Sequence, residues 1–106
     1  MENNILGTVK EFRTSKYYGV RVDKRKKMDN ITYWYRADIE AENKKYYLGA
    51  YLNETHAAYA FNIAFKFLSN GYFIIENNVN INKNDADFIY DKVRKLMLKR
   101  GVINFT

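Results

Sequence analysis

"KKYYLGAYLNETHAAYAFNIAFKFL", residues 44–68, changes period partway along, and that change decides the fold. From Lys45 to Tyr51 the side chains alternate, with Tyr46, Leu48 and Ala50 expected inward and Lys45, Tyr47 and Gly49 outward, as in a half-buried strand. From Asn53 onward the apolar positions are Ala57, Ala60, Phe61, Ala64, Phe65 and Leu68, the spacing of one helical face. Asn53 or Thr55 supplies an N-cap, Glu54 lies in the first turn, and Asn70 and Gly71 end the helix. A strand hands over to a helix here, and the small alanines suit that helix to close packing on a sheet.

Working outward, the same alternation recurs twice upstream. Tyr18 to Asp23 sets Val20 and Val22 against Arg21 and Asp23, and Tyr33 to Glu40 sets Tyr35, Ala37 and Ile39 against Arg36, Asp38 and Glu40. Lys24 to Asn30 is polar and reads as a loop or hairpin connection, and Ala41 to Lys44 as a turn. Three strands in series with short connections predict an antiparallel meander. Downstream, Tyr72 to Ile75 reads as extended and Glu76 to Asn82 as an asparagine-rich connection. Asn84 to Arg100 reads as a second helix with Ala86, Ile89, Tyr90, Val93, Leu96 and Met97 on one stripe and Gly101 as its stop. The expected class is α+β: a three-stranded antiparallel sheet packed on one helix, plus a C-terminal helix. Residues 1–15 form a polar lead-in with a short strand near Leu6 to Val9, 16–80 the sheet-and-helix unit, and 81–106 a basic amphipathic helix.

Composition narrows the function. The chain has 106 residues, 47% of them hydrophobic and 17% aromatic, enough for one core and unlike a disordered segment. There is no cysteine, which excludes disulfides and thiolate metal sites. No apolar run reaches the roughly 20 residues that span a bilayer, and the first residues lack the charged and apolar regions of a signal peptide. The expectation is an intracellular, cytoplasmic protein. The net charge of +6 is concentrated: eight basic residues from Lys10 to Lys27 stand against Glu11 and Asp23, and five from Lys92 to Arg100 stand with no acid. Two basic stretches on an aromatic-rich domain point to a polyanion, because neutralising phosphates releases counterions.

Catalytic chemistry is sparse. His56 falls in a helix first turn, Ser15 and Ser69 have no base close by in sequence, and the glycines form no phosphate-binding loop. The acid pairs Asp85 with Asp87 and Glu40 with Glu42 suit a helix first turn and a turn surface. Neither an enzyme nor a metal or organic cofactor is expected.

The segments "YYGVRV" (17–22), "YRADIE" (35–40) and "KKYYLGAYLNETHAAYAFNIAFKFLSNG" (44–71) together resemble the ethylene-response-factor (apetala-two type) DNA-binding domain, in the bacterial and phage version found beside HNH homing endonucleases. The resemblance covers residues 16–80 and rests on the order of Gly19, Val20, Arg21; Ala37 and Ile39; Leu48, Gly49, Tyr51; and Ala57, Ala58, Ala60, Phe61, Ala64. It implies a three-stranded sheet backed by a helix, with the open face of the sheet in the DNA major groove. It makes Arg21, Lys45, Tyr47 and Asp38 contact positions; alternation adds Arg36, and the basic connection adds Lys24 and Arg25. Tyr18, Asp23 and Glu40 stand where the plant domains carry arginine, and Tyr35 replaces a tryptophan. The expected partner is double-stranded DNA, bound by a phage or mobile-element regulator. The alternative partner is a nuclease or other nucleic-acid-binding protein, its channel occupied by an anti-CRISPR-type inhibitor through Asp23, Asp38 and Glu40. The apolar stripe of the C-terminal helix serves either the domain itself or a homodimer.

Overall fold

The computed structural model describes residues 15–69 and 76–102. Strand β1 (Val20–Lys27), β2 (Asn30–Ala41) and β3 (Lys44–Tyr51) form one antiparallel sheet in the order β1-β2-β3, followed by α1 (Glu54–Ser69) and α2 (Lys83–Lys99). This is the α+β meander-and-helix architecture expected from the alternating segments. The lead-in with its strand near Leu6 to Val9, the Asn70–Gly71 stop and the extended segment 72–75 lie outside the described residues.

One face of the sheet is apolar and carries the helices. Val20, Ala37, Ile39, Ala41, Tyr46, Leu48 and Tyr51 are buried against Ala57, Ala60, Phe61, Ala64 and Phe65 of α1. Phe61 and Phe65 are fully buried, their rings tilted at 48° with centroids 5.7 Å apart. Burying each such ring contributes on the order of 2–3 kcal/mol. Helix α1 is also covered by α2, which brings Ile89, Val93 and Met97 into the same cluster. Ala58, Asn62 and Ile63 are therefore buried too, beyond the single stripe its periodicity predicts, whereas Leu68 is only partly buried. Of the expected α2 stripe, Ile89, Val93 and Met97 join the domain's own core, Leu96 is partly buried and Tyr90 is exposed.

Capping chemistry sets the helix starts. The Asn53 side chain accepts from the Thr55 backbone N–H at 3.0 Å, which selects Asn53 over Thr55 as the cap, and Asn82 accepts from Asp85 N–H at 2.9 Å. Helix α2 ends with Gly101 at φ 90, its N–H donating to the Leu98 carbonyl while Val102 N–H donates to Met97. The connection into α2 is pinned by two buried asparagines. Asn62 and the Asn77 backbone exchange a pair of hydrogen bonds of 2.9 and 2.8 Å. The Asn77 side chain accepts from Tyr18 N–H and donates to the Tyr18 and Ala58 carbonyls. A buried polar side chain with all its groups paired is tolerated where an unpaired one is not.

Two sequence expectations are corrected. The segment Lys24 to Asn30 is mostly strand, not loop: β1 runs to Lys27, pairs with Asn30, and leaves only Met28 and Asp29 as the turn. Lys24, Arg25, Met28, Asp29 and Asn30 are all exposed, so no period-two signal marks the segment. Ala50 does not point inward. The register jumps between Ala37↔Gly49 and Asp38↔Tyr47, leaving Leu48 as the extra residue of a β-bulge, after which Ala50 lies opposite Arg36 and Tyr51 turns inward. Gly49 makes that possible at φ 115, where a Cβ would meet Lys92 Nζ at 2.9 Å. Gly19, at φ 72, is required for a different reason: an added Cβ would run into the Phe61 ring.

Candidate nucleic-acid interface

The sheet face away from the helices is polar and uncovered among the described residues. Strand pairing places Arg21 opposite Arg36 and Arg36 opposite Ala50, Asp38 opposite Tyr47, Glu40 opposite Lys45, Asp23 opposite Trp34, and Arg25 opposite Thr32. Directly paired residues share a face, so Arg21, Arg25, Arg36 and Lys45 stand with Asp23, Asp38 and Glu40 around Trp34 and Tyr47. Each was positioned by strand alternation once the apolar partners Val20, Ala37 and Ile39 had been drawn to the helix side.

The charges on this face are organised in pairs. Arg21 Nη2 donates to Asp38 Oδ2 at 2.7 Å, with the aspartate the less exposed of the two at 15%. Arg25 donates through Nε and Nη2 to Asp23 Oδ2 at 3.3 and 3.1 Å. The Arg36 guanidinium lies over the Tyr47 ring, 5.0 Å from its centroid. Two cations, Arg21 and Arg36, nevertheless face each other directly across β1 and β2, and the Nε atoms of both are buried without a hydrogen-bond partner among the described residues. Like charges opposite each other on a sheet are mutually destabilising, and a desolvated donor without a partner adds to that cost.

Of the residues expected to bind nucleic acid, Arg21, Arg25, Arg36, Asp38, Lys45 and Tyr47 are brought to one face. Lys24 is not: it pairs with Tyr33, one residue out of step with Arg21 and Arg25, on the opposite face of the β1–β2 hairpin. The three carboxylates proposed for a protein partner share the face with the arginines rather than forming a surface of their own. No family model and no curated protein matches the chain. The face therefore has to be read from its own chemistry. Trp34 was missed by the sequence reading, although extending the alternation of Arg36 and Asp38 back by one step finds it.

The remaining candidates have structural partners. In the C-terminal basic run, Lys92 Nζ sits 4.3 Å from the Tyr51 ring and Arg100 4.8 Å from the Tyr46 ring, fastening α2 to β3. Lys95 pairs with Asp91 at 3.0 Å, and Arg94 and Lys99 are exposed. His56 Nε2 lies 3.4 Å from Asp85 Oδ2 and ties the first turns of the two helices together. Ser15 donates to Glu54 and Ser69 to the Lys66 carbonyl. No group of three metal-ligating side chains occurs among the described residues, and no helix among them is long and apolar enough to cross a membrane.

Proposed function

We propose that this chain binds duplex DNA by seating the outer face of its three-stranded sheet in the major groove, in the manner implied by its resemblance to ethylene-response-factor domains. The observation that carries the reading is the opposed Arg21–Arg36 pair: Asp38 engages one nitrogen of Arg21 only, and the Nε donors of both arginines are desolvated without a partner among the described residues. An anionic ligand edge removes that conflict. Asp38 fixes the Arg21 guanidinium through one nitrogen and the Tyr47 ring fixes that of Arg36, so both forks are pre-oriented before a ligand arrives. A strand ribbon fits a groove about 12 Å wide, where arginine recognises guanine O6 and N7.

A second reading is favoured by Asp23, Asp38 and Glu40 standing on the same face. A basic-grooved protein, such as a nuclease, presents complementary charges to them. One set of variants separates the two. For a DNA reader, Arg21→Ala and Arg36→Ala each weaken binding to a preferred duplex by about 1–3 kcal/mol, while the triple change Asp23→Asn, Asp38→Asn, Glu40→Gln raises affinity for random duplex and blunts sequence preference. For a protein-binding face the same triple change costs about 2–5 kcal/mol of the protein complex and leaves DNA unaffected. Fluorescence titrations at several salt concentrations read both.

A further inference from the structure

The β1–β2 hairpin extends past the helices as a bare arm. On the face that is buried at Ala37 and Ile39, Ile31 is 48% and Tyr33 47% exposed, and the tip residue Met28 is 86% exposed. Met28 is also left-handed, at φ 55, a conformation that favours Gly or Asn over an unbranched apolar residue. An exposed methionine in a strained turn is doubly disfavoured for folding, so its placement calls for a role outside the fold. The arm leading to it carries the sequence Lys24-Arg25-Lys26-Lys27 against one acid at the turn, Asp29.

We propose that this arm is a second DNA contact, in which Met28 wedges into the minor groove next to the major groove occupied by the sheet. This deepens the duplex-DNA reading and rests on it. Four residues of strand on each side give the arm a length of about 13 Å, enough to cross the phosphates flanking a groove about 12 Å wide. The cationic arm supplies the phosphate contacts. An apolar tip that enters a minor groove partly unstacks a base step and bends the duplex. Charge complementarity selects this occupant over a second copy of the chain, whose arm has the same sign.

The test uses the full chain and a duplex of 20–30 base pairs labelled at both ends for energy transfer, chosen for tightest binding. The expected result is a shortened end-to-end distance on binding. Met28→Asn, which accepts the left-handed turn without the apolar tip, should keep the melting temperature, lose the bend and bind about tenfold more weakly. Ligation of nicked plasmid in the presence of protein should show unwinding that the variant lacks. A duplex bound but unbent by the wild type, or bent equally by Met28→Asn, overturns the wedge and leaves the DNA reading standing. No binding to any duplex overturns both. Self-association in sedimentation that Met28→Asn abolishes assigns the tip to a copy of the chain and overturns the wedge as well.

Discussion

Strand β2 is one continuous strand with two environments. From Ala37 to Ala41 its inward residues Ala37, Ile39 and Ala41 are buried to within 4% under α1, and the outward residues form the charged face. From Asn30 to Tyr33 every residue is exposed, and only the pairing to Lys24–Lys27 holds the backbone. The comparison separates two sources of order. In the helix-backed half, strand pairing is reinforced by apolar burial; in the arm, hydrogen bonding and cross-strand contacts stand alone, which is marginal for a two-stranded hairpin in water. The backed half is a rigid platform on which Arg21, Arg36 and Asp38 hold their geometry, and the arm is free to adapt to a surface.

The comparison breaks most visibly if its backing is removed. Phe61 fills the space between α1 and the sheet and touches the position of Gly19. Phe61→Ala should cost about 3–5 kcal/mol in chemical denaturation, the range for an aromatic deleted from a packed core. Asn77→Ala comes next. It removes the side-chain hydrogen bonds to Tyr18 N–H and to the Tyr18 and Ala58 carbonyls, a loss of about 2 kcal/mol. An effect of Asn77→Ala below about 0.5 kcal/mol would mean that water replaces the side chain and that this pin is not part of the backing.

Sequence periodicity made the backed half legible, because burial on one side writes alternation into Val20 to Asp23 and Tyr35 to Glu40 and a helical stripe into Ala57 to Phe65. Arg21, Arg36 and Asp38 could be placed on a common face from that pattern alone. The arm was illegible for the same physical reason: Lys24, Arg25 and Asn30–Tyr33 are exposed on both faces, so nothing selects a period, and a strand there looks like a charged loop. The bulge at Leu48 was hidden as well. A single extra residue inverts the faces beyond it, and only Gly49 at positive φ marks the spot.

A smaller effect tests the bulge. Tyr51 turns inward because of it, donates its hydroxyl to the Leu48 carbonyl at 2.8 Å, and has its phenol pKa pushed far above the ordinary value, first by burial and then by the neighbouring Tyr47. A raised pKa means that the folded state favours the neutral phenol. Stability from this group is fully present below the unfolded value, about 10, and is lost as pH rises above it toward the folded value. Tyr51→Phe should cost about 1 kcal/mol at neutral pH through the lost hydrogen bond, and should lessen the decline of stability above about pH 10. Denaturation curves from pH 7 to 11 measure both, and an unchanged alkaline decline in the variant would place its origin elsewhere.

The smallest expected effect falls on the arm. Ile31 and Tyr33 occupy the same face of β2 as Ile39, yet lie beyond the reach of α1 at roughly half exposure, so replacing both removes little buried area. The double change Ile31→Ser and Tyr33→Ser should shift global stability by no more than about 0.5 kcal/mol, whereas Ile39→Ser alone, at 2% exposure, should cost several-fold more. Hydrogen exchange sharpens the contrast. Amides of β1 and β2 bonded within the arm should exchange by local opening in the wild type and faster still in the double variant, while those from Ala37 to Ala41 should exchange only near global unfolding in both. A double variant that lost more than about 1.5 kcal/mol, or arm amides as protected as those of Ala37 to Ala41, would show the arm to be part of the same cooperative unit. The adaptable arm would then have to be given up, and with it the mobility that lets its tip follow a neighbouring groove.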